Sequence, residues 1–450
     1  MTPISTHLVD SLATTDALAS AFSDAALLQA MLDFEVALAR AQARAGVIPA
    51  RAAESIADAA RLDRFDVHQI ALDARASATI AIPVVDALRA RVEEIDPGSA
   101  CYVHWGATSQ DVFDTALVQC VGQAGRILDA DHARLSSALT RISQAHANTV
   151  ILGRTLLQPA LPIKFGLKAA GWLGASTRSW ARLSAALLDA RVLQCGGAAG
   201  TLAALGANGL AVEQALAEDL GLAVPDAPWH AHRDRLATLV TSCGVYAGTL
   251  GKIARDVSLL MQDEVGEAAE PGGGSSTLPH KRNPAGCAVA IAAAIRVPGL
   301  VSAFLSGMLH EHERSVGGWH AEGPTIAATL QATGSALSSV ADVIEGLDVD
   351  ADRMRANIAA THGVVFAEKL TMLIVPQLGR EKAGALVTQA VRQSRDSGRA
   401  FREVVAAIPE IARLLSPDQI ASLDAPEAYL GSAETFRTRL VAAAGRRTPL

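Results

Sequence analysis

The sequence predicts an all-α fold, with three helical domains arranged around a central bundle of long helices. Three observations carry this. Half of the 450 residues are hydrophobic and 4% are aromatic; Ala and Leu dominate, and together with Arg they favour helix. Runs of β-branched residues that would mark strands are few. Apolar residues recur at four-three spacing over three long stretches, the period of helices packed side by side.

Taken in order, Ser23 is placed to cap a helix with the apolar face Leu27, Met31, Phe34, Leu38 and Ala41, which Gly46 and Pro49 end. An Ala-rich helix follows to about Leu62. From Asp73 to Arg91 the pattern is less regular, and Ile82-Pro83 breaks it. Residues 1–103 therefore read as an N-terminal helical domain. The central domain, 104–347, opens with a polar loop, Tyr102 to Asp111, before a long helix that Thr108 or Ser109 caps. Its seam is Leu117, Val121, Ala124, Leu128, Leu135, Leu139 and Ile142.

Gly153 to Pro159 interrupts the helical pattern, with Pro162 just after. Helix resumes from Phe165 to Gln194, and Gly196 to Gly200 is a second break. The third seam is Leu239, Cys243, Tyr246, Leu250, Ile253, Val257 and Leu260. It contains Gly244, Gly248 and Gly251, each costing about 1 kcal/mol relative to Ala; close approach of a neighbouring helix accounts for them. The most apolar run, Cys287 to Leu309, is interrupted by Arg296 and Pro298 and reads as a buried bundle helix rather than a membrane span. Beyond Leu347, shorter helices broken by Pro376, Gly379, Pro409 and Pro417 make a C-terminal domain, 348–450.

A net charge of −7 gives no global field for nucleic acid or anionic membrane. The five cysteines are scattered with no CxxC pair, so neither a disulfide framework nor a zinc site is indicated. The first residues lack a cationic start and an apolar core, so no signal peptide is expected and the cytoplasm follows by default. His230/His232 and His310/His312, with Glu311 and Glu313, look like metal-ligand pairs. Residues two apart on a helix point away from each other, so no metal is expected.

The chemistry concentrates in Gly272 to Pro284, GGGSSTLPHKRNP. Glycines let backbone N–H groups approach a ligand closely. Hydroxyls beside a lysine and an asparagine suit proton transfer next to a stabilised anion. Asn283-Pro284 reads as an N-cap with Pro at the first helical position, and a helix N-terminus favours anions.

The string GSSTLPHKRNP resembles the signature loop of the fumarase/aspartase superfamily, most closely its adenylosuccinate lyase and carboxymuconate cycloisomerase branches. The resemblance implies an all-α fold with a long-helix core. It makes Ser275 the proton-transfer group, Lys281 and Asn283 its anion-stabilising partners, and Ser276 a substrate contact. His104, Thr108 and Ser109 match the His-x-Gly-x-Thr-Ser-x-Asp segment that binds a substrate carboxylate, and Arg154 and Gln158 match a second segment. QCGGAAGTLAALG (194–206), PWHAHRDR (228–235), HERSVGGWHAE (312–322) and YLG (429–431) are similar to the cycloisomerase branch. Arg314 lies in the third of these and is a candidate substrate ligand.

Many lyases of the superfamily carry Thr-His where this chain has Thr155-Leu156, and that His moves protons. Leu156 cannot. Ring closure of a 3-carboxylated muconate, a small anionic polycarboxylate, is therefore the expected reaction. A related muconate such as a sulfonated one, a fumarate-releasing lyase of the adenylosuccinate type, and a catalytically dead scaffold are the alternatives. The resemblance also implies a homotetramer whose sites take segments from different subunits, with no cofactor.

Overall fold

Five long helices run alternately up and down: Ser109–Ala145, Phe165–Asp189, Asp234–Leu260, Ala285–Gly307 and Gly318–Glu345. They belong to a computed structural model that describes residues 8–274 and 277–445. The apolar spacing explains the bundle: every seam residue from Leu117 to Ile142 and from Leu239 to Leu260 is buried in one continuous core. Each such Leu, Ile or Val contributes about 1.5–3 kcal/mol relative to an exposed position.

The N-terminal helices Asp24–Arg44, Ala50–Ala59, Val67–Ser77 and Ala81–Ile95 build a second core. That core also takes in Leu193, Cys195, Leu202, Leu205 and helix Gly209–Leu220 from later in the chain. Ser23 caps the first of these helices through its hydroxyl, which accepts the Ala26 N–H. A third core lies among the shorter helices from Ala367 to Ala421.

Four expectations need correcting. Pro83 does not break its helix; it sits in the first turn of Ala81–Ile95, where its missing N–H has no helical partner anyway. The interruption at 153–159 is strand and turn, which the scarcity of β-branched runs did not lead one to expect: it is part of a hairpin, Val150–Thr155 against Gln158–Lys164. Its two-residue turn is Leu156-Leu157, with φ of 49° and 63°. That turn normally signals itself with Asn-Gly, and positive φ is unusual for leucine, so nothing in the residues announced it. The helix after the signature loop starts at Ala285 with Pro284 as its cap residue, one position later than expected. Finally, the apolar run forms the expected helix, Ala285–Gly307, but only 22% of its most apolar window is buried within one chain. Among the described residues it is the one helix long and apolar enough to cross a membrane by length and composition. Its buried face, Cys287, Ala290, Ala293, Val297 and Phe304, packs into the bundle.

The glycines of helix Asp234–Leu260 divide in their reasons. A Cβ on Gly251 would collide with the Ala294 Cβ, and one on Gly244 would sit 3.1 Å from Val301, so helix Ala285–Gly307 does come close there. Gly248 faces open space. Gly251→Ala is expected to lower stability by about 1–3 kcal/mol, because the overpacked Ala294 has no rotamer to escape into. Urea unfolding of the variant checks this; an unchanged midpoint would contradict the close contact.

Candidate functional site

The expected site residues fall at opposite ends of the bundle. The 27 residues of Asp234–Leu260 set the separation, about 40 Å at 1.5 Å per residue.

At one end, Thr108 is the N-cap of Ser109–Ala145, with extended backbone. Asp111, a fully buried carboxylate, reaches back to accept the Thr108 N–H at 3.1 Å. The same carboxylate accepts the N–H groups of Gly196 and Gly197 at 3.0 and 2.9 Å, and pairs with His230 Nε2 at 2.7 Å. Gly197 lies so close to the Gly106 carbonyl that a Cβ would stand 2.7 Å from its oxygen. The glycine-rich break is thus packed onto the 104–108 segment. Arg314 joins this end: its Nη2 donates to the Gly197 and Ala198 carbonyls at 3.0 and 2.8 Å.

His104 has φ of 61° and its Nδ1 lies 2.6 Å from Oε1 of the buried Glu35. Burial opposes its charge, but the Glu35 carboxylate, helped by Asp111, outweighs burial and raises the imidazole pKa. A raised folded pKa gives stability that is complete below the unfolded value of about 6.5 and is lost as pH rises through the folded one. His104→Gln is therefore expected to cost most stability in mildly acidic buffer and progressively less in alkaline buffer. Urea unfolding across that range tests it; a constant difference would contradict the pairing.

Beneath these residues lies a buried ionic cluster. Arg233 donates from Nη1 to Asp114 at 2.7 Å, and from Nη2 and Nε to Glu322 at 2.6 and 2.9 Å. Trp319 Nε1 and Gln110 Nε2 also donate to Asp114, at 2.8 and 3.1 Å. His310 Nε2 stands 3.1 Å from Glu322, out of line for a hydrogen bond. The histidine pairs do not converge on a metal: His230 binds Asp111 and His310 faces Glu322. Among the described residues no group of three potential ligands comes together.

At the other end, the hairpin carries Arg154 and Gln158. Arg154, its side chain 27% exposed, forks onto the fully buried Glu267 with two bonds of 2.8 Å. Asn357 donates to the same carboxylate at 2.8 Å. Gln158 is exposed at the start of its strand, opposite Thr155. In the signature loop, Lys281 is exposed and its N–H donates to the Leu278 carbonyl. Asn283 closes the loop on itself: its N–H donates to Gly273 O at 2.5 Å and its Nδ2 to Gly274 O at 3.3 Å. A Cβ on Gly273 would collide with the Asn283 carbonyl, so glycine is required there. Ser275 and Ser276 lie outside the described residues.

The free helix N-terminus expected for an anion is already taken. Glu270, 1% exposed, accepts the Gly286 and Cys287 N–H groups at 2.8 and 3.1 Å. Burial, and then Glu270, push the Cys287 thiol up to about 12.

One chain therefore places His104, Thr108, Ser109 and Arg314 at one end of the bundle, and Arg154, Gln158, Lys281 and Asn283 at the other. It does not join the two sets. Sequence reading missed Asp111, Asp114, Arg233, Glu267, Glu270 and Glu322 as organising groups. A signal was present in EVGEAAEP, with Glu264, Glu267 and Glu270 at three-residue spacing just before the glycines.

The comparisons with known proteins agree with this architecture. A family model described as "Lyase" matches residues 11–299, and one described as "Adenylosuccinate lyase C-terminus" matches 363–440. The 3-carboxy-cis,cis-muconate cycloisomerase of Bradyrhizobium diazoefficiens is 46% identical over 429 residues, covering 94% of this chain and 95% of that protein. The nitrosuccinate lyase of Streptomyces davaonensis is 42% identical over 442 residues, covering 96% of this chain and 93% of that protein. The crystal structure of the 3-carboxy-cis,cis-muconate lactonizing enzyme from Pseudomonas putida matches with a TM-score of 0.93 and 43% identity, covering 98% of this chain and 99% of that one. With a family match over most of its length and relatives this similar across the whole chain, the protein belongs to the lyase family of the fumarase/aspartase superfamily.

Proposed function

We propose that this chain is a cycloisomerase that closes 3-carboxy-cis,cis-muconate to 4-carboxymuconolactone. The carrying observation is Leu156. It stands 97% exposed at the hairpin tip, where many lyases of the superfamily place a proton-moving histidine. Ring closure needs one proton donor; elimination of an amine also needs its leaving group protonated. One substrate carboxylate adds through oxygen to a carbon of the conjugated double bond. The displaced electron pair passes toward a second carboxyl, giving an aci-carboxylate, and the adjacent carbon then takes a proton. Because the nucleophile is tethered, the protein supplies orientation, anion stabilisation and that proton. Ser275 is the donor in this reading. Lys281 and Asn283 stabilise the aci-carboxylate, while Thr108, Ser109, Arg154, Gln158, Ser276, Arg314 and His104 receive or orient the substrate carboxylates.

The separation of the two sets of residues supports a site shared between copies, and the reading includes a homotetramer. Two surfaces favour self-association: the uncovered apolar side of Ala285–Gly307, including Ile295 and Leu305, and a groove of about 670 Å³ beside Gly171, Trp172, Val245 and Gly248. A cytoplasmic location completes the proposal.

Mixing purified protein with 3-carboxy-cis,cis-muconate is expected to remove the diene ultraviolet absorbance and yield the lactone. Release of fumarate from adenylosuccinate, or turnover of nitrosuccinate with the muconate untouched, would overturn it.

A further inference from the structure

Glu270 is the last residue before the Pro271-Gly272 entry to the signature loop, and Gly286 and Cys287 follow its exit. Its carboxylate spans the two, accepting Gly286 N–H at 2.8 Å and Cys287 N–H at 3.1 Å. These are the second and third residues of helix Ala285–Gly307. A Ser, Thr or Asp cap side chain serves the same donors, but the cap position here is Pro284, which has no such group. The cap is supplied from across the loop instead. Both feet of the loop are also packed: Pro271 fills the space where Gly346 lacks a Cβ, and Val343 does the same at Gly286. Between them, the Lys281 N–H donates to the Leu278 carbonyl, and Asn283 closes on Gly273 and Gly274. Lys281 and Asn283 stand four and two residues before the second clamped foot, Ala285 to Cys287.

Glu270 also decides what the helix N-terminus can bind. An N-terminus with free N–H groups attracts anions, and the proposed substrate carries several carboxylates. A buried internal carboxylate satisfies those donors and removes a competing seat a few residues from the reacting centre.

Resting on the cycloisomerase reading, we propose that Glu270 is the positioning residue of the signature loop: its carboxylate ties the loop's entry to the helix at its exit, fixing Lys281 and Asn283 for the reaction and keeping substrate carboxylates off the helix N-terminus.

The test uses full-length Glu270→Ala and Glu270→Gln beside the wild type. Glu270→Ala is expected to lose about a hundredfold in kcat, the scale of a misplacement near 1 Å, while KM changes by a few-fold only. Added formate, which fits the vacated space and supplies the missing anion, is expected to restore much of kcat and to raise the melting temperature of Glu270→Ala, without effect on the wild type. Glu270→Gln keeps one acceptor but turns an NH₂ toward a backbone donor, and is expected to lose about tenfold with no formate response. If Glu270→Ala does not fold, recovery of its folded state in formate supports the proposal and its failure to recover contradicts it. Unchanged kcat in a folded Glu270→Ala protein, or a loss carried by KM and untouched by formate, would overturn the proposal. A wild type inactive on the muconate would indict the cycloisomerase reading instead; the formate-dependent melting shift still reads the cap without substrate.

Discussion

Replacing Arg233 by alanine is expected to lower stability by about 3–5 kcal/mol, the range for removing one partner of a buried ion pair. The guanidinium is wholly buried and holds two carboxylates, Asp114 and Glu322, each almost without exposure. Truncation leaves both without their countercharge, and the Trp319 and Gln110 hydrogen bonds to Asp114 do not replace it. Burial already raises the Glu322 pKa against the pull of Arg233. Without the arginine, the folded protein takes up protons that the unfolded chain does not bind. Its stability should then rise as pH falls toward the carboxylate range. Urea unfolding of Arg233→Ala should show a deficit that narrows in acid. A deficit under 1 kcal/mol at neutral pH, within the range of surface pairs, would contradict the buried cluster.

Ser275→Ala is the second large effect. Ser275 lies outside the described residues, and its proposed role rests on the signature string. Removal of a positioned proton donor costs about 10²–10⁴-fold in turnover, so a loss of that order is expected with the melting temperature unchanged. Steady-state assays on 3-carboxy-cis,cis-muconate decide it. Near-normal turnover in a folded protein would move the proton to another group of the same string, with Lys281 the next candidate.

The bundle was legible because period and burial are one phenomenon. Residues at four-three spacing from Leu117 to Ile142 can all be buried only on a helix facing a core. The hairpin was not legible, because the two-residue turn imposes positive φ on Leu156 and Leu157, residues that do not signal it, and Pro159 and Pro162 argue against strand. The open side of helix Ala285–Gly307 was hidden as well, since an apolar run reads the same whether its own chain or another copy covers it. Among site residues, types could be read and partners could not. Arg154 looked like a free carboxylate ligand, yet most of its fork is already on Glu267. The helix N-terminus after Asn283 looked open, yet Glu270 fills it. In both cases the competing carboxylate is more than ten residues away in sequence, and no local pattern fixes that pairing.

The central claim is that a working site joins the two ends of the bundle from different copies. Mixing two inactive variants tests it most directly: Ser275→Ala, at the signature-loop end, with Arg314→Ala, at the glycine-break end. Each alone should have little activity. After co-refolding, mixed oligomers contain sites in which an intact signature loop from one copy meets an intact Arg314 from another, so a sizeable fraction of wild-type turnover is expected to return. If the mixture stays as inactive as its components although mixed oligomers form, the two ends do not meet between copies and the account is wrong.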